Sequence, residues 1–130
     1  MNNNLPDPPK AVGNYTTIKK IGNLIYTSGH VPITEDTKYV GKISEDQSTE
    51  TGYEAASLCA ELTLATLAKH YDLKKLTPIN VVGFVNSSDN YTEHPTVLNG
   101  FTDKLGEYFE SKATRSVSYT HLTLPTNREV

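Results

Sequence analysis

Hydrophobic and polar positions change period four times along this chain, and each change marks a new element. In "YTTIKKIGNLIYTSGHVPI", β-favouring residues flank Gly22-Asn23, a pair suited to the positive φ of a tight hairpin turn. Two antiparallel strands are predicted, near 14–20 and 24–28. Pro32 has no N–H to give to a ladder, so the second strand should end or bulge between Gly29 and Pro32. "KYVGKI", 38–43, predicts a third, short strand.

From Ser48 the apolar spacing becomes three and four. Ala55, Leu58, Cys59, Leu62, Ala65 and Thr66 fall on one face of a predicted helix, with Ser48 and Thr49 as candidate N-caps, and Lys69 and His70 in its last turn. "INVVGFVNS", 79–87, is β-branched and apolar on both faces, so a central strand covered on two sides is expected, with Gly83 marking a bulge or a close approach. Pro95 suits the first turn of a second helix, whose stripe is Val97, Leu98, Phe101, Leu105, Tyr108 and Phe109. A last strand should carry Arg115. The order ββ(β)αβαβ predicts an α+β sandwich, a mixed sheet with two helices on one face. Residues 1–10, with three prolines and three asparagines, read as a lead-in, and 11–116 as a single domain.

Composition narrows the function classes. Of 130 residues 36% are hydrophobic, with 8 Tyr, 3 Phe and no Trp, a thin core for a monomer that an oligomer would reinforce. Net charge is −3, with Lys and Arg scattered, so no footprint for nucleic acid is visible. A single cysteine excludes an internal disulfide, and the first twenty residues lack the apolar core of a signal peptide, so a cytoplasmic, reducing location is expected. No apolar run approaches the ~20 residues that span a bilayer.

Much familiar chemistry is missing. His30, His70, His94 and His121 lie in separate segments without a partner at i+3 or i+4, so no metal is expected. Neither a phosphate-cradling glycine loop nor a GxSxG elbow occurs, and Cys59 on an apolar helix face reads as a buried structural thiol. What stands out is the loop "TSGHVP" and the single arginine in "KATRSVSYTHLTLP". A strand arginine is more often an exposed partner of a carboxylate than a ligand clamp.

Taken together, "VGNYTTIKKIGNLIYTSGHVP", "GYEAASLCAELTLATL", "INVVGFVNSSDNYTEHPTVLNGFTDKLGEYF" and "ATRS" resemble the Rid (YjgF-like) family of enamine and imine deaminases, in a diverged branch, from about Leu5 to Ser116. The resemblance implies a chorismate-mutase-like fold and a homotrimer with a ligand cleft at each subunit interface. It further implies hydrolysis of 2-imino or 2-enamino acids to 2-keto acids and ammonia without cofactor or metal. Arg115 matches the family arginine that grips the substrate carboxylate, where a guanidinium offers parallel N–H donors. The N–H of Gly29 is a second implied donor, and Ser28 and His30 flank it as substrate-binding candidates. Tyr15 matches a cleft tyrosine whose hydroxyl positions substrate or water, and a purely structural strand tyrosine is an equal alternative.

The match also has gaps. The family's water-holding glutamate lies about fifteen residues beyond the arginine, which here is Val130; Glu129 is adjacent, but one step along a strand faces the other way. His30 replaces a common glutamine. Residues 117–130 depart from the usual pattern and read as an atypical tail suggestive of a non-native origin. Three functions therefore stand at this level: a deaminase, a non-catalytic trimeric binding or regulatory protein for small carboxylates, and, weakest given the charge, an endoribonuclease.

Overall fold

The computed structural model describes residues 5–11, 13 and 16–109, and the main chain of 116–122. In chain order the elements are β1 (Ile18–Ile21), β2 (Leu24–Thr27), α1 (Thr49–Ala68), a short 3-10 turn (Leu73–Lys75), β3 (Asn80–Asn86), α2 (His94–Gly106) and β4 (Ser116–Leu122). Strands β1 and β2 pair antiparallel, β3 and β4 parallel.

The hairpin forms where the glycine predicts it. Ile21 and Leu24 close a two-residue turn in which Gly22 has φ +60° while Asn23 stays on the negative side, as in a turn with glycine at its first central position.

The third strand expected over 38–43 does not form. Lys38 bridges Ile33, and Ile43 alone joins the end of β3, donating its N–H to Asn86 O at 3.0 Å and accepting from Ser88 N at 3.1 Å. Gly41 and Ser44 have φ of +116° and +80°, and two such residues around Ile43 break the extended run a ladder needs.

Helix α1 starts on Ser48, whose Oγ accepts the Thr51 N–H at 3.1 Å, a cap worth about 1 kcal/mol. It ends at Ala68, so Lys69 is its C-cap rather than part of its last turn. Ala60 and Leu64, one turn apart, are fully buried, and they form one core cluster with Leu73 and Leu105. A second cluster joins Ala56 to Ile43, Val85, Val97 and Leu98. Two glycines let the helices approach: a Cβ at Gly100 would collide with the Tyr53 carbonyl, and one at Gly52 would crowd Ile43 and Val97.

Strand β3 pairs in register with β4 from Asn80↔Ser116 to Asn86↔Leu122. Gly83 marks a close approach, since a Cβ there would meet the Leu98 side chain of α2. Val85 is buried on the helix side, but Val82 and Phe84, pointing the other way, are 53% and 66% exposed. The expectation of a strand covered on two sides therefore fails within one chain. Both helices lie over one face and leave the other open.

No helix among the described residues is long and apolar enough to cross a membrane.

Candidate functional site

The loop after β2 is the one predicted site segment that the structure describes. Its first residue continues the hairpin, with Ser28 N donating to Thr17 O at 3.0 Å. Gly29 follows, exposed, with open space where a Cβ would be. Its N–H meets no acceptor among the described residues. Beyond it, Pro32 stands at a tight turn in which Ile33 N donates to Val31 O at 2.8 Å, and Tyr39 N returns to Pro32 O at 3.1 Å.

His30 is fixed from beneath. Its Nδ1 donates to Ser28 O at 3.0 Å, because a carbonyl can only accept, and its Nε2 lies 2.9 Å from Thr66 Oγ1 on α1. Its carbonyl accepts the Cys59 thiol at 3.5 Å. Burial lowers the proton affinity of the ring below the ordinary histidine value, and the Ser28 carbonyl partly offsets this. The same burial pushes the Cys59 thiol up to about 12, so Cys59 stays a neutral donor and not a nucleophile at ordinary pH.

Of the site residues named from sequence, Ser28, Gly29 and His30 are thus contiguous on one loop, with the His30 ring engaged by α1. Arg115 and Tyr15 lie outside the described residues, as do Glu129 and Val130.

One pairing escaped the sequence reading. Ser87 Oγ and His94 Nε2 are 3.0 Å apart and buried, and the Tyr91 ring stands edge-on to His94 at 5.2 Å between centroids. Tyr91 Oη in turn lies 2.6 Å from Thr49 Oγ1. These contacts fasten the start of α2 to the end of β3 and the first turn of α1. Ser87 and His94 are seven positions apart across a strand end and a helix start, so no single-element periodicity signals the pair.

An open depression of about 450 Å³ lies beside the loop, between the start of β1 and the end of α1, lined by Thr16, Thr17, Ile18, Lys20, His70 and Tyr71. It includes none of the loop residues 28–30. Among the described residues no three His, Cys, Asp or Glu side chains come close enough together to hold a metal ion.

Two helices over strands paired both ways define the chorismate-mutase-like α+β class, and solved structures agree. A candidate endoribonuclease from Shewanella oneidensis MR-1 superposes with a TM-score of 0.75 at 25% identity, covering 92% of this chain and 83% of that one. A protein of unknown function from Agrobacterium tumefaciens gives 0.76 at 28% identity, covering 91% and 78%. No curated protein matches. The family model described as endoribonuclease L-PSP matches residues 6–125, and the chain belongs to that family, the YjgF-like superfamily that includes the Rid proteins.

Proposed function

We propose that the protein is a small-molecule deaminase, a hydrolase that adds water across the C=N bond of a 2-imino acid and releases the 2-keto acid and ammonia. In this reading Arg115 and the Gly29 N–H hold the substrate carboxylate, and Tyr15 orients substrate or water. The observation that carries it is Gly29: an exposed residue without Cβ, whose N–H meets no acceptor among the described residues, on a loop anchored on both sides. An anion can approach such a main-chain donor as no other residue type would allow.

Assembly belongs to the same proposal. Ile79, Val82 and Phe84 around β3, and Ile21, Leu24 and Tyr26 on the hairpin, are apolar and exposed in a single chain. Further copies of this chain, arranged as a homotrimer with clefts between subunits, would cover them. The ligand is then a small carboxylate, not a nucleic acid, for the net charge of −3 and scattered cations oppose binding a phosphate backbone despite the family's description. A cytoplasmic location fits the single thiol.

The test supplies an imine in situ from an amino-acid oxidase and follows its decay. Acceleration by the purified protein, lost in Arg115→Ala, is the expected result; ammonia release at the blank rate would sink the enzyme reading. The binding-only alternative is favoured by one observation, Val130 where the family glutamate would stand. It predicts that 2-keto acids raise Tm while turnover stays at background.

A further inference from the structure

His30 is built into the protein in a way that a ligand-contacting side chain does not require. Both ring nitrogens are occupied, one by Ser28 O at 3.0 Å and the other by Thr66 Oγ1 at 2.9 Å. Thr66 is 3% exposed and sits near the C-terminal end of α1, thirty-six residues away in sequence. The backbone on either side of Gly29 is therefore tied down: Ser28 through its N–H to Thr17 and its carbonyl to the imidazole, His30 through its ring to Thr66 and its carbonyl to Cys59.

We propose that His30 and Thr66 form an internal clamp that sets the direction of the Gly29 N–H, so that His30 is a positioning residue acting on the carboxylate through the main chain. The inference rests on the reading of Gly29 as a carboxylate donor and adds the residues that fix its geometry.

The proton positions follow from the partners. Nδ1 carries hydrogen because it faces a carbonyl. In the neutral ring Nε2 must then accept, and the Thr66 hydroxyl supplies the proton. When the ring takes up a proton, Nε2 becomes a donor to Thr66 Oγ1, and the hydroxyl proton turns to Leu62 O, 3.0 Å away. The clamp thus closes in both protonation states by rotation of one hydroxyl. Cys59, the titratable neighbour on α1, stays neutral, and burial and the Ser28 carbonyl are what act on the ring's proton affinity.

Valine at position 66 keeps the shape and removes the hydroxyl, while serine keeps the hydroxyl. Full-length protein labelled with nitrogen-15 is compared as wild type, Thr66→Val and Thr66→Ser, reading the His30 ring-nitrogen shifts and Gly29 amide exchange, with 2-oxobutyrate as the binding probe. Wild type should show the Nδ1–H tautomer. Thr66→Val should keep that tautomer, which Ser28 O sets, but move the Nε2 shift as its donor is lost, speed Gly29 exchange and weaken 2-oxobutyrate about tenfold, the worth of one lost hydrogen bond. Thr66→Ser should stay within about twofold of wild type. An unchanged His30 Nε2 shift and Gly29 amide in Thr66→Val would overturn the clamp. If 2-oxobutyrate fails to bind wild type while the ring and amide respond as described, the carboxylate reading of Gly29 falls and the clamp remains as a structural one.

Discussion

The two sides of this protein are finished to different degrees. On the helix side, α1 and α2 meet through glycines, and Ala60 and Leu64 lose all contact with water. On the strand side, Val82 and Phe84 leave more than half of their surface exposed, although their sequence is as apolar as that of a core strand. The helix interface completes itself because both partners lie within one chain, although residues that meet there, such as Tyr53 and Gly100, are far apart in sequence. Among the described residues the open strand faces have no partner. Apolar sequence on an exposed face is information about a neighbour, and the neighbour proposed for this face is another copy.

The largest expected contrast concerns Cys59. With a thiol pushed up to about 12 against an ordinary value of 9.0, its thiolate fraction at mildly alkaline pH is reduced on the order of 10³-fold, and labelling by an alkylating reagent should slow accordingly until urea unfolds the chain. Equal rates with and without urea would show that the helix side is not closed around it.

Core truncation should come next. Leu64→Ala removes a fully buried side chain and should cost about 3 kcal/mol by chemical denaturation, and Gly100→Ala, which forces α1 and α2 apart, about 2 kcal/mol. Losses below about 0.5 kcal/mol for both would mean that the helices do not pack as described.

A smaller effect should appear with pH. The His30 ring is neutral in the folded protein below its ordinary value of 6.5, so the unfolded chain binds a proton there that the folded one does not. Stability contributed by the neutral ring is therefore complete above pH 6.5 and declines as pH falls from 6.5 through the lowered folded value. Urea midpoints measured across that window should drop for wild type more than for His30→Gln, and parallel curves would remove His30 as the source.

The smallest change in chain stability is expected on the open face. Phe84→Glu should alter it by no more than about 0.5 kcal/mol in a monomer, yet shift sedimentation toward lower mass if copies cover that face. An unchanged mass distribution would sharpen the contrast differently, leaving the exposed strand without a self-made cover.

Much of this was legible in the residues. Gly22-Asn23 announced the hairpin, Ser48 the start of α1, Pro95 the start of α2, and Gly83 the point where a helix comes close. These are local signals, carried by steric and capping preferences that operate within a few residues. Lys38 to Ile43 misled, because strand propensity needs a partner along its whole length and the left-handed turns at Gly41 and Ser44 removed it. Of the candidate site, the structure describes the loop 28–30 as an anchored segment, Arg115 and Tyr15 fall outside the described residues, and the bond from His30 to Thr66 was not foreseen.

By itself the sequence determined where both helices start, the buried stripe of α2 and the chemical character of the glycine loop, since each depends on neighbours a few positions away; on α1 the predicted stripe missed Ala56, Ala60 and Leu64, the row that packs against α2. Tertiary structure alone decided that His30 turns inward to Thr66, that Ser87 meets His94, and that Phe84 is left in the open. Those outcomes depend on which distant surfaces come together, and no local pattern records the distance between two side chains before the chain has folded.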